Sequence, residues 1–88
     1  MITNNYTILA PQGIHARPAT MLIKLAKGFK SAISIKKDGK TVKLNSMLGL
    51  LSLNIKGGET VAVMIEGEDQ VEAERAVNQF FNDYLKDL

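Results

Sequence analysis

The chain contains no cysteine and no tryptophan, and only one histidine, two prolines, two tyrosines and three phenylalanines among 88 residues. Without cysteine there is no disulfide framework, no thiol nucleophile and no zinc–thiolate centre. A lone histidine is too little for a transition-metal site built from side chains, so neither a metal nor a cofactor is expected. No stretch approaches the run of about 18 apolar residues that crosses a bilayer. The segment Met1-Ile2-Thr3-Asn4-Asn5 lacks the basic and apolar regions of a secretion signal, so the expected setting is cytoplasmic, with no membrane insertion. A phosphate-binding glycine loop of the Walker type is also missing; Lys56-Gly57-Gly58 reads as a turn. The net charge is +2, a small basic excess. With no zinc-finger spacing and no interleaving of aromatic and basic residues, nucleic acid is not an expected partner.

What the chain does have is regular patterning, with no internal repeat or linker, over a length that suits one domain, 1–88. Tyr6 to Leu9 belongs to a first strand that begins near Ile2. Ala19, Leu22, Ile23 and Ala26 recur at helical spacing, predicting a helix over 16–27 with Gly28 as its stop. Ile33 and Ile35 alternate with polar neighbours, and Asp38-Gly39 predicts a tight hairpin turn into Thr41-Val42-Lys43-Leu44. Ser46 caps a short apolar helix to about Leu53. Val61, Val63 and Ile65 form a fourth strand closed by Gly67. Asp69 with Glu72 has the form of a capping box, and Ala73, Ala76, Val77, Phe80, Phe81 and Tyr84 give the last helix an apolar stripe. The order β-α-β-β-α-β-α predicts a two-layer α/β sandwich, with the helices covering one face of a four-stranded sheet. Tyr6, Phe29, Phe80 and Phe81 are then structural aromatics.

The histidine stands in Gly13-Ile14-His15-Ala16-Arg17-Pro18-Ala19-Thr20, where a glycine turn gives way to the first helix. The first amides of a helix lack intrahelical acceptors and the helix dipole is positive there, so an anion at that point is stabilised. Pro18 suits a first turn, where its missing N–H costs nothing. A neutral imidazole is a nucleophile near pH 7. A phosphoryl group attached to it would meet the amides of Ala16 and Arg17 and the Arg17 guanidinium. On spacing alone, a solvated loop histidine remains the commoner case. The short helix carries Met47, Leu48, Leu50, Leu51 and Leu53, more large apolar residues than one buried face can hold. Leu50 and Leu53 are assigned to the core. Met47, Leu48 and Leu51, with Thr20 and Met21, are expected to form an apolar patch beside His15. Lys24, Lys27 and Lys30 follow Arg17, whereas Glu66, Glu68, Asp69, Glu72, Glu74, Asp83 and Asp87 crowd the C-terminal third. The basic group is expected around the histidine, as a docking site for an acidic protein or as a merely solvated face.

The His15 segment, together with Leu44-Asn45-Ser46-Met47-Leu48-Gly49-Leu50-Leu51-Ser52-Leu53, resembles the two signature segments of HPr. These are the histidine-containing phosphocarriers of the bacterial phosphotransferase system. Length, segment order and motif separation agree with that family. The resemblance implies an antiparallel sheet ordered 1-4-2-3, with the short helix close to the His15 loop. It implies phosphorylation of His15 at Nδ1 by Enzyme I, with Arg17 as supporting cation, and transfer onward to A-type Enzyme II domains for sugar uptake. The chain would thus be a carrier rather than an enzyme. Thr20, Met21, Lys24, Lys27, Met47, Leu48 and Leu51 would dock partners, and a transient carrier is expected to work as a monomer. Ser46 matches the regulatory phosphorylation site of many Gram-positive members, which brings an HPr kinase/phosphorylase and a transcriptional regulator as further partners. Asn45 stands where a lysine is common in those members. The alternative is an HPr-like regulatory or binding module, or the nitrogen-related paralogue.

Overall fold

Four strands, β1 (Ile2–Thr7), β2 (Ala32–Lys37), β3 (Lys40–Lys43) and β4 (Thr60–Glu66), form in the computed structural model, which describes residues 1–85; β2 and β4 carry alternating apolar residues. Asp87 of the acidic run lies outside them. The sheet order is β1-β4-β2-β3 and every pairing is antiparallel, the order the family resemblance implies. Register sets Ile2, Asn4 and Tyr6 opposite Ile65, Val63 and Val61, and Ile33 and Ile35 opposite Ile65 and Val63. One face is therefore predominantly apolar, interrupted by Asn4, which donates to Glu74, while Thr3, Asn5 and Thr7 point to solvent on the other. The β2–β3 hairpin turns through Asp38 (φ 51°) and Gly39 (φ 82°), the left-handed pair whose twist matches that of the strands.

Helices α1 (Ala16–Lys27), α2 (Met47–Ser52) and α3 (Gln70–Gln79) cover the apolar face, and a π-helical turn, Phe80–Tyr84, continues α3. Pro18, Ala19, Leu22, Ile23 and Ala26 are the buried stripe of α1. The extra residue in the π turn shifts the stripe of the last helix. Phe80 and Phe81 are both buried, Leu85 follows them inward, and Tyr84, expected in the stripe, is 48% exposed. Tyr6 stacks on Phe81 with ring centroids 4.5 Å apart, and Phe81 meets Phe80 edge-on at 5.2 Å. The Tyr6 hydroxyl donates to Asn78, and burial pushes the phenol above its usual pKa. Phe29 packs against the same core but is only partly buried.

Three local readings are corrected. β1 ends at Thr7 rather than Leu9, although the Ile8 N–H still donates to the Glu59 carbonyl at 2.8 Å. Gly28 does not end α1 through a left-handed residue: it is right-handed (φ −76°), and the helix tightens out through Gly28 N–H to Leu25 and Phe29 N–H to Ala26. Asp69 is the N-cap of α3 but makes no capping bond. Its carboxylate reaches across to the turn before β2, accepting from the N–H groups of Lys30 and Ser31 at 2.8 Å and from the Ser31 hydroxyl at 2.5 Å. Those three donors outcompete the helix amides and, led by Ser31, hold the carboxyl below its usual pKa.

Candidate functional site

The loop over residues 8–15 delivers His15 to the start of α1, and backbone bonds fix its course. Gly13 N–H donates to Ala10 (2.9 Å), Ile14 N–H to Ile55 (3.0 Å), and Gly58 N–H to Ile8 (2.9 Å). Gly13 is buried at φ 69°, and a Cβ there would overlap the Ile55 carbonyl oxygen. Gly57 makes the reciprocal approach: a Cβ would lie 2.7 Å from the Ala10 oxygen and 2.8 Å from that of Pro11. The His15 loop and the segment after α2 thus pack backbone against backbone, which only glycine permits at these two points. Sequence reading gives Gly57 no role beyond a turn, because its contact is with a segment more than forty residues away.

His15 is the N-cap of α1, with extended backbone (φ −91°, ψ −167°) and no capping bond from its side chain. Its carbonyl accepts from Ala19 N–H at 2.9 Å, closing the first helical turn. The residue is half-buried. Nε2 is enclosed and has no hydrogen-bond partner among the described residues. The amides of Ala16 and Arg17 precede the first intrahelical donor, and Pro18 has no N–H, so this helix start presents two free amides beside the imidazole. Arg17 is exposed and pairs with no carboxylate among the described residues.

α2 packs beside α1, where the Thr20 hydroxyl donates to the Ala16 carbonyl at 2.9 Å and lies 4.0 Å from the Met47 sulfur. Leu50 and Leu53 are buried and Met47 partly so, leaving Leu48 83%, Met21 39% and Leu51 37% exposed. A six-residue helix has one face to bury, and its surplus apolar residues, Leu48 above all, reach solvent. Ser46 caps α2, its Oγ accepting from Gly49 N–H at 3.1 Å, and is itself exposed. The lysines do not encircle His15. Lys24 and Lys27 are exposed on the last turn of α1, about 14 and 18 Å of helical rise beyond it. Lys30 pairs with Glu68 at 3.5 Å. Arg17 is the cation in the first turn.

Comparison with known proteins gives the family. The model of the PTS HPr component phosphorylation site family matches residues 2–83. Phosphocarrier protein HPr of Lysinibacillus sphaericus is 40% identical over 77 residues, 88% of each chain. The crystal structure of HPr-C-His from Thermoanaerobacter tengcongensis superposes with a TM-score of 0.91 at 33% identity, over 97% of this chain and 96% of that one. Crh, a Bacillus subtilis catabolite repression protein described as a swapped dimer, follows at a TM-score of 0.75 and 30% identity, over 97% and 98% of the two chains. One family model spans nearly the whole length, and a close relative and a whole-chain superposition carry the same assignment, so this chain belongs to the HPr family of phosphotransferase-system phosphocarrier proteins.

Proposed function

We propose that the chain accepts a phosphoryl group from phospho-Enzyme I on Nδ1 of His15 and passes it to A-type Enzyme II domains, serving sugar uptake in the cytoplasm as a monomer. The observation that carries this reading is the state of the imidazole. Nε2 is enclosed without a partner among the described residues, which favours Nδ1 as the ring nitrogen that meets an incoming phosphorus. The Nδ1 lone pair forms the N–P bond as the bond from phosphorus to the donor breaks, and the reverse displacement on the acceptor restores the imidazole. The amides of Ala16 and Arg17 meet the phosphoryl oxygens, and the exposed Arg17 guanidinium adds charge-assisted bonds. Carrying the group requires release as well as capture, which suits a half-buried imidazole and an exposed cation better than a closed pocket.

Thr20, Met21, Met47, Leu48 and Leu51 supply an adaptable apolar surface for two different partners in turn, and Lys24 and Lys27 extend it with positive charge. Ser46 is the regulatory position in this reading. A phosphate there adds about −1.5 to −2 charge at the start of α2, which the helix tolerates, beside a surface meant for acidic partners. The HPr kinase/phosphorylase and a regulator that reads phosphoserine are the corresponding partners. The test is intact mass after incubation with phosphoenolpyruvate and Enzyme I, for wild type and His15→Ala, before and after acid. One acid-labile phosphate on wild type and none on a folded His15→Ala protein is expected. Acid-labile phosphate on His15→Ala overturns the site, and none on wild type leaves the chain a regulatory module of the family.

A further inference from the structure

Beneath the His15 loop runs the segment 53–59, which leaves α2 and enters β4. It reverses direction with Asn54 in the left-handed region (φ 49°), a conformation that a side chain other than glycine adopts at some cost. From it the Ile55 carbonyl holds Ile14 N–H at 3.0 Å, Gly57 lies against Ala10 and Pro11, and Gly58 N–H holds the Ile8 carbonyl. The position of the residue before His15 thus depends on the shape of this segment. Beside these backbone bonds, one side chain from another part of the sheet reaches both ends of the segment. Lys37, the last residue of β2, is only 11% exposed in its side chain, and its ammonium bonds the Leu53 carbonyl (3.1 Å), the Asn54 carbonyl (2.8 Å) and Glu59 Oε1 (2.9 Å). All three of its donors are used. The same Glu59 oxygen accepts from Lys56 N–H at 2.6 Å.

We propose that Lys37 is a positioning residue for phosphoryl transfer: it ties the start of the segment to its end and so holds the Ile55 carbonyl where it fixes Ile14 and, through it, His15. The two carbonyls it binds are at the C-terminal end of α2, where the helix leaves acceptors unpaired and a cation is favoured. Replacing the ammonium leaves those carbonyls and the Glu59 carboxylate to find water. The cheapest way to do so is for 53–59 to open away from the sheet, taking the Ile14 contact with it. Lys40 is a built-in contrast. It sits directly across the hairpin from Lys37 on the same face, but reaches only the Ser52 hydroxyl, at 3.4 Å.

The inference rests on His15 being the phosphoryl acceptor, and its test separates the two claims. Amide hydrogen exchange and the rate of phosphoryl acceptance from Enzyme I are measured for wild type, Lys37→Met, Lys37→Arg and Lys40→Met, with thermal melts to set a temperature at which all are folded. For Lys37→Met, Ile14 and Gly58 amides are expected to exchange faster while Val63 and Ile65 stay protected, and acceptance to slow by about 3- to 30-fold. Lys37→Arg restores much of both, because a guanidinium has donors for the same oxygens, and Lys40→Met matches wild type. Wild-type exchange at Ile14 or wild-type acceptance in Lys37→Met, with wild type itself an active acceptor, overturns the positioning role alone. Global loss of protection in Lys37→Met makes Lys37 a stability residue; failure of Lys37→Arg to recover either readout also counts against the proposal. Wild type that accepts no phosphoryl group overturns the functional reading, and this inference with it.

Discussion

Two regions of the molecule are built to opposite standards. Where β1 meets the last helix, Tyr6, Phe80, Phe81 and Leu85 are enclosed, the rings stack in preferred geometries, and the Tyr6 hydroxyl has its acceptor in Asn78. Around His15 the backbone is as tightly fixed, with glycines at the closest approaches, but the side chains are left unfinished. Among the described residues Nε2 is unpaired, Arg17 has no carboxylate partner, and Leu48 stands in solvent. The first region converts apolar area into stability; the second leaves apolar area in solvent, as the proposed docking role requires. A rigid frame that presents unsatisfied groups is what a carrier needs, because each partner must find the imidazole in the same place and then leave.

Substitutions in the two regions therefore separate stability from transfer. Phe81→Ala removes a fully buried ring that touches two others, and is expected to cost about 3–5 kcal/mol. Its melting temperature should fall by more than about 10 °C, while phosphoryl acceptance well below the transition stays at the wild-type rate. A small thermal shift would mean that the aromatic cluster is looser than its geometry. Gly13→Ala tests the shared feature, the fixed backbone. A methyl at φ 69° against the Ile55 carbonyl is expected to cost about 2–3 kcal/mol and to slow acceptance as well. If denaturation and transfer kinetics both match wild type, the loop adjusts freely and the His15 backbone is not a fixed frame. Leu48→Asp should leave stability within about 0.5 kcal/mol of wild type. Titrated against Enzyme I and against an A-type domain, it should weaken both by at least about tenfold, as loss of a shared apolar anchor would. Unfolding instead would place Leu48 in the core, and unchanged binding would remove it from the docking surface.

Much of this frame is legible in the chain itself, for local reasons. The hairpin follows from Asp38-Gly39, the faces of α1 and β4 from their apolar periods, and the exposure of Leu48 from the surplus of large residues in a six-residue helix. The place of His15 at a helix start follows from Gly13 before it and Pro18 after it. What periodicity does not contain is pairing across distance. The sheet order comes from family resemblance, and the Asp69 carboxylate goes to Lys30 and Ser31 because the fold brings three donors to it. Gly57 looks like any turn glycine until the His15 loop lies over it, and Lys37 looks like a surface lysine until α2 ends above it. The π turn is likewise invisible: Phe80 and Phe81 fit a regular stripe well enough, and only Tyr84 on the outside reveals the extra residue.

The central claim is that one nitrogen of one ring carries the group, and long-range ¹H–¹⁵N correlation spectra of the protein labelled in histidine address it directly. After phosphorylation by Enzyme I and phosphoenolpyruvate, phosphorus coupling and the larger shift change are expected at Nδ1 of His15, with Nε2 bearing the remaining proton or lone pair. Phosphorus on Nε2, or a His15 spectrum unchanged in a sample that carries phosphate, would contradict it.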